Sequence, residues 1–579
     1  MSTRNSIRKL YDEKKDFIII GLTGRTGSGC STVAEILATK EYSDLKLRDP
    51  KTHDFNNSEE IKYSIIHKYA KESGNWKPFR IIRMTSIITL FMIKKGYDSF
   101  VDYLDEINKG LVEFKLDEIK IKLESFSFND KYKSIHDVYG IIKENKEYSR
   151  YPYLISELDN FTRDLKNILE GFGCKSIEED DEKDHISYSH FYTYLYQKIG
   201  NNIRASGDPF CEEFKEDKFF SLAEKCNEII ECIKKYDKSI NKPTFICIDA
   251  IRNPYEAIFF RDRYADFYLI SVNTDDSTRR SRLKDLRVDE INSLDEREYA
   301  KKIKGAQKFY NQDIGACLEI SDIHVYNPNT EDYFFLTEQL LKYYVLMIHP
   351  GLITPTHLER CMQIAYNAKL NSGCLSRQVG AVVTNEDYSI VSIGWNEVPK
   401  GQISCSLRDV SEYNKNKDES MYSQFERTDK DFTDKMKEIG TKINYDKLEG
   451  RKHPYCFKDI YNSIKEKDNQ VYTRALHAEE NAFLQIVKYG GMGVKGGYLF
   501  TTASPCELCS KKASQLGIKT IYYIDPYPGI SESHILNSGL GSNPNLQLFY
   551  GAIGNAYISL YKPNLPLKDE LEFMIGSFN

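Results

Sequence analysis

His477-Ala478-Glu479, followed by Pro505-Cys506-Glu507-Leu508-Cys509, is the stretch on which the reading of this chain turns. One His and two Cys can hold Zn²⁺ and leave its fourth position open to water. A Glu two residues after the His can move protons to and from that water. A C-x-x-C alone also reads as a redox pair or half a zinc finger. The His-x-Glu upstream and the Pro before the first Cys favour a catalytic metal site instead. Residues 477–489 and 506–516 read as helices, with strands over 497–502 and 519–524. His477 and Cys506 then stand at two helix N-termini, whose dipoles favour thiolate over thiol. The plain alternative for Glu479 is an ordinary helix-surface residue.

Upstream of this stretch, a helix is expected over about 356–370. Val379–Val383 and Ser389–Gly394 look like a hairpin across Asn385-Glu386-Asp387. A polar insertion fills about 405–470. Cys361, Cys374, Cys405, His453 and Cys456 lack tight ligand spacing, so a second, structural zinc is the lesser reading for them.

The N-terminal half has a different signature. Phe17-Ile18-Ile19-Ile20 is a short β-branched run, and Val33–Leu37 reads as a helix. Between them lies a glycine-rich loop, Gly24-Arg25-Thr26-Gly27-Ser28-Gly29-Cys30-Ser31-Thr32. Strand, glycine loop and helix are the order a phosphate-binding loop needs. The loop fits G-x-x-x-x-G-K-[ST] except that Cys30 replaces the Lys. That Lys ordinarily neutralises phosphate, so phosphoryl transfer is disfavoured while nucleotide binding is not. Thr244–Asp249 reads as a buried strand ending in a Walker-B-like carboxylate, Asp249, for Mg²⁺. Asp266–Val272 and Ile323–Asn327 read as further strands, with helices between them. Such alternation argues for a parallel α/β sheet. Residues from about 45 to 235 look like a polar helical insertion, with Ile81–Leu90 its most apolar part. Glu178-Glu179-Asp180-Asp181-Glu182 reads as a solvated acidic loop. Arg279, Arg280 and Arg282 start a basic helix, whose plain reading is a solvated face. The domains are therefore set at 1–345 and 346–579.

At 579 residues the chain is too long for one core. Hydrophobic and charged fractions of 41% and 29% fit a soluble globular protein. No window is long and apolar enough for a membrane span, and the first residues lack the apolar segment of a secretory signal. Thirteen Cys without a framework pattern suit a reducing cytoplasm. A net charge of −6 counts against a general nucleic-acid binder.

The H-x-E…P-C-x-x-C pattern is that of the zinc nucleobase deaminases. Ser376-Arg377-Gln378-Val379-Gly380-Ala381-Val382-Val383, Gly394-Trp395-Asn396-Glu397-Val398-Pro399 and His477-Ala478-Glu479-Glu480-Asn481-Ala482 resemble the deoxycytidylate deaminase family over roughly 355–560. Trp395 stands for that family's Tyr and Glu397 for its second Gly. The resemblance implies a three-layer α/β/α cytidine deaminase-like domain acting on dCMP, with dCTP as a second candidate. His477, Cys506 and Cys509 would hold Zn²⁺, and Glu479 would transfer protons. Asn396, Ala381, Val382 and Ser504 would meet the substrate. A nucleic-acid cytosine or adenine editing enzyme is the alternative, as is a bifunctional nucleotide kinase–deaminase.

The N-terminal half resembles the nucleoside monophosphate kinases. The carriers are the loop, Asp249–Glu256 and Asp322–Asn327, and the resemblance implies that Arg279, Arg280 and Arg282 stand where those kinases carry phosphate-facing lid arginines. A P-loop domain fused ahead of such a deaminase resembles a bacterial anti-phage group that depletes deoxycytidine nucleotides. That resemblance implies a cytoplasmic homo-oligomer restrained by a regulatory nucleotide and, in some members, by an inhibitory small RNA.

Overall fold

The computed structural model describes residues 14–575, other than 73, 113, 146, 179–184, 285, 300–304, 329–332, 468, 492, 526–530, 540 and 542. Most of the acidic run expected as a solvated loop, and the chain start read for a signal, lie outside the described residues. The chain forms two compact units, Met1–Thr354 with Asn555–Asn579, and Pro355–Gly554. The sequence reading ran the second domain to the chain end. Residues 555–579 instead group with the first unit, where the Leu560 carbonyl accepts from the Gly351 amide at 2.9 Å and Glu570 pairs with His349 at 2.9 Å.

In the first unit, β1 (Phe17–Thr23), β2 (Arg80–Arg83), β6 (Thr244–Asp249), β7 (Phe267–Asn273) and β8 (Ile323–Tyr326) are parallel, in the order β8-β7-β1-β6-β2. β6 and β7 are buried along their whole length, and β1 from Ile18 on. Covering both faces is what makes such strands continuous apolar runs rather than alternating ones. β1 is central, so the glycine loop opens at its C-terminal end and α1 (Cys30–Leu37) follows directly. The insertion differs from expectation in two ways. Arg80–Arg83 is a strand paired with β6, and only then does a helix run from Met84 to Lys95. A small antiparallel sheet, β3 (Leu111–Val112), β4 (Gly173–Glu178) and β5 (His185–His190), also lies among its helices.

The second unit has one mixed sheet, in the order β10-β9-β11-β12-β13. These are β9 (Gly380–Thr384), β10 (Ile390–Trp395), β11 (Tyr498–Ala503), β12 (Thr520–Asp525) and β13 (Asn545–Leu548). The β9–β10 hairpin and β9–β11 are antiparallel, while β11–β12 and β12–β13 are parallel. One face carries helix His357–Lys369, in a core with Val382, Phe500 and Tyr522. The other carries helices Ala478–Tyr489 and Glu507–Gln515, packed on Ala381, Val383, Leu499 and Ile521. Two glycines allow this close layering. A Cβ on Gly380 would lie 2.0 Å from the Ala365 carbonyl, and one on Gly394 would lie 2.3 Å from the Ala478 carbonyl.

The 405–470 insertion is a helical module with its own core around Val410, Tyr413, Phe432 and Met436. Arg408 and Glu426 form a wholly buried ion pair in it. Tyr455 Oη donates to Glu426 Oε1 at 3.0 Å, and the Ser423 amide and hydroxyl donate to Oε2 at 2.9 Å. Burial pushes the Glu426 carboxyl up, but Arg408 and then Ser423 outweigh it and hold it below the usual range. A depressed carboxyl contributes stability above its unfolded pKa and loses it as pH falls below that value. Arg408→Met leaves that carboxylate buried and unpaired, at a cost of about 3–5 kcal/mol near neutral pH. Urea midpoints should show this loss at pH 7 and a smaller one at pH 4, where a protonated Glu426 needs no cation.

Candidate active site and the glycine loop

His477 is the N-cap of helix Ala478–Tyr489, and Cys506 is the N-cap of helix Glu507–Gln515. Both have extended backbone, so each side chain lies ahead of its helix while Glu479 and Cys509 lie within a first turn. His477 Nδ1 is 3.3 Å from Cys506 Sγ and 3.5 Å from Cys509 Sγ. Tetrahedral zinc with ordinary Zn–S and Zn–N bonds needs such donors roughly 3.5 Å apart. The three donor atoms lie within 4.8 Å of one another, and no other His/Cys/Asp/Glu group among the described residues is so placed. These residues fit the ion. The sequence expectation of a lesser second site at Cys361, Cys374, Cys405, His453 and Cys456 finds no such cluster.

The electrostatics suit a soft metal. The Cys506 thiol is pulled down to about 4, first by its hydrogen bond from Cys509 and, against burial, by His477. His477 is raised, first by its bond with Cys506. Cys509 is raised by its bond to Cys506 and by burial. Glu479 is 4% exposed, and burial raises its carboxyl. Its Oε2 is 3.7 Å from Cys509 Sγ, beside the donor set. It is not the surface residue of the plain alternative.

Thr501 Oγ1 lies 3.4 Å from Glu479 Oε1 and 2.9 Å from the Ala503 carbonyl. Sequence reasoning missed Thr501, which is an unremarked β-strand Thr in the sequence. It pairs with Ala381 across β9–β11. Ala381 faces the His477 helix, in one cluster with Ala478 and Ala482. Val382 does not: its side chain packs on the opposite face with Cys361, Met362 and Ala365. Neighbouring strand residues point to opposite faces, so Ala381 and Val382 cannot both present side chains to one site.

Asn396 is 8% exposed, accepting from the Val379 amide and donating to the Arg377 carbonyl, each at 2.6 Å. Asn481 donates to the Trp395 carbonyl at 2.9 Å, tying this turn to the His477 helix. Glu397, where the deoxycytidylate family has Gly, accepts from the amides of Gly373 and Val398 at 2.8 Å. Ser504 donates its amide to the Asp525 carbonyl at 2.9 Å, just before Pro505.

Residues 355–525 match the family model described as the cytidine and deoxycytidylate deaminase zinc-binding region. This unit is a deaminase domain. The chain is 27% identical to the deoxycytidylate deaminase of Enterobacteria phage T2 over 167 residues, 29% of this chain and 78% of that protein. It is 28% identical to that of phage T4 over 177 residues, 29% and 76% of the two chains. ComE operon protein 2 of Bacillus subtilis (strain 168) is 44% identical over 54 residues, covering 9% of this chain and 28% of that one. The dCMP deaminase of cyanophage S-TIM5, solved with dCMP and dUMP, is 22% identical over 34% of this chain and 99% of that one, with a TM-score of 0.20.

The matched residues begin well after the glycine loop. There Ser31 Oγ donates to Asp249 Oδ2 at 3.0 Å, joining the start of α1 to the end of β6. Burial raises the Asp249 carboxyl. Burial and then Asp249 push the Cys30 thiol up to about 12, so Cys30 supplies no charge. Arg25 turns towards Asp276 at 3.4 Å. Ser28 and Gly29 close the loop, and Thr32 continues α1. Of the three arginines on α2 (Asp276–Arg282), two face the loop. Arg279 is wholly buried and donates to the Thr26 carbonyl at 3.3 Å. Arg282 donates to the Gly27 and Ser28 carbonyls at 3.4 and 3.1 Å. Arg280 is solvated beside Asp276. No helix among the described residues is long and apolar enough to cross a membrane.

Proposed function

We propose that the deaminase domain hydrolyses the free nucleotide dCMP, with dCTP as a second candidate, to the deoxyuridine nucleotide and ammonia. The observation that carries this is Glu479 buried beside the His477/Cys506/Cys509 donor set. The deoxycytidylate-type turn at Asn396 and the named phage relatives support the substrate class. His477, Cys506 and Cys509 would hold Zn²⁺, which supplies Lewis-acid activation of the hydrolytic water when bound. Glu479 takes a proton from that water as the C–O bond forms at C4 of cytosine. It delivers that proton to N3, then takes the remaining proton from the C4 hydroxyl and passes it to the exocyclic amine. The C4–N bond breaks, ammonia departs, and C4 becomes a carbonyl. Burial, which raises this carboxyl, favours the role by making it a better proton acceptor.

The glycine loop we read as a nucleotide-binding regulator, with Mg²⁺ at Ser31 and Asp249, and not as a kinase. The neutral Cys30 in the Lys position supports that reading. Control of nucleotide depletion during phage infection, in a homo-oligomer and through a nucleotide or a small RNA, is the wider setting that the family resemblance suggests.

The test is a substrate panel of dCMP, dCTP, CMP, deoxycytidine and a single-stranded oligonucleotide, with and without added nucleotides. Ammonia release from dCMP or dCTP is expected, and none from the oligonucleotide. No release from either deoxynucleotide, with zinc confirmed bound, would overturn the reading. Incubation with ATP and a deoxynucleoside monophosphate should yield no diphosphate.

A further inference from the structure

Glu298 ends α3 (Val288–Glu298) and is wholly buried. Its carboxylate lies in the glycine loop. Both oxygens accept from the Thr26 amide, at 3.1 and 3.2 Å, and Oε1 also accepts from the Thr26 hydroxyl. Arg252 Nη1 donates to Oε1 at 2.6 Å, while its Nη2 lies 3.4 Å from Thr26 Oγ1. One carboxylate thus takes a loop amide, a hydroxyl and a guanidinium, the donor types a phosphoryl group recruits. Arg252 also sits within electrostatic reach of Asp249 and of Cys30, the residue that stands where the loop lacks its Lys. Arg279 adds a second buried cation against Thr26. Its Nη2 pairs with Asp295 of α3 at 2.5 Å, and its Nε has no hydrogen-bond partner among the described residues.

We propose that Glu298 is a built-in stand-in for phosphate. It occupies the anion position of the glycine loop and withdraws when a phosphate group enters, with Arg252 passing from the carboxylate to the phosphate. The proposal rests on the nucleotide-binding reading of the loop and adds its switch. A carboxylate and a phosphate cannot share these donors, because like charges a few ångströms apart repel strongly in a buried site. Occupancy of the loop is therefore coupled to the end of α3, and through Arg279 and Asp295 to α2.

The test uses the full-length protein and inorganic tripolyphosphate, a probe without a base. Glu298→Gln removes the competing charge and should tighten binding by about tenfold or more. Adding Arg252→Gln should abolish that gain. Equal or weaker binding by Glu298→Gln, or a gain that survives loss of Arg252, would overturn the proposal. In the wild-type protein, saturating tripolyphosphate should speed amide exchange across Val288–Glu298. Unchanged or slower exchange would overturn the switch without needing any variant to fold. If neither wild type nor Glu298→Gln binds tripolyphosphate or ATP, the nucleotide reading of the loop fails, and the switch with it. Binding by wild type without a gain in the variant removes only the switch.

Discussion

Glu479→Gln is expected to lower turnover of the preferred deoxycytidine nucleotide by about 10³-fold or more while zinc stays bound. The amide keeps the size of the carboxylate, so it can still lie beside Thr501 Oγ1. It cannot take a proton from water or return one to the amine. Because Glu479 lies beside the donor set without belonging to it, the three ligands remain. The loss should fall on kcat, with KM changed little, since the missing step follows binding. Zinc content measured on the same preparation decides the interpretation. Loss of metal together with activity would make Glu479 a structural support. Retained turnover would remove it from the chemistry.

The parts of the molecule that were legible are those where local pattern and environment agree. β6 and β7 read as strands because both faces are covered, so apolar residues run through them up to the polar ends at Asp249 and Asn273. The His477, Cys506 and Cys509 donor set was legible because two helix N-termini carry it, as two caps and one first-turn residue. Arg80–Arg83 was not: two isoleucines between arginines give no period, and the apolar helix that follows absorbs them into its own pattern. Which face of β9 each residue takes was not legible either: Val382 packs with Cys361 and Met362, while Ala381 packs with Ala478. Glu298 was invisible for another reason. It is 272 residues from Thr26, and nothing in a polar helix end announces that its carboxylate is buried in a glycine loop. The return of Glu570 to His349, 221 residues away, is equally non-local. Chemistry carried by a short motif can be read from residues, while contacts made across hundreds of residues cannot.

Cys509→Ser should cost the protein its zinc and with it essentially all turnover. Cys509 is buried inside the first turn of its helix, 3.5 Å from His477 Nδ1. A hydroxyl there is shorter, harder and far less acidic than a thiol, so it does not replace a thiolate donor. Zinc binding free energies of about 10–16 kcal/mol spread over four positions give ~3 kcal/mol per ligand, or roughly a hundredfold in affinity at least. Zinc competition against a chromogenic chelator measures this directly. Two further results keep the prediction specific. The melting curve should fall to that of chelator-stripped wild type and no further, because Ser fits the space of the thiol. Wild-type turnover should be indifferent to added reductant. A Cys506–Cys509 pair working by redox chemistry would respond to reductant, and Cys509→Ser would then keep its zinc while losing activity. Zinc lost with turnover, under reducing conditions and on a folded protein, leaves the metal site as the only reading of C-x-x-C that survives.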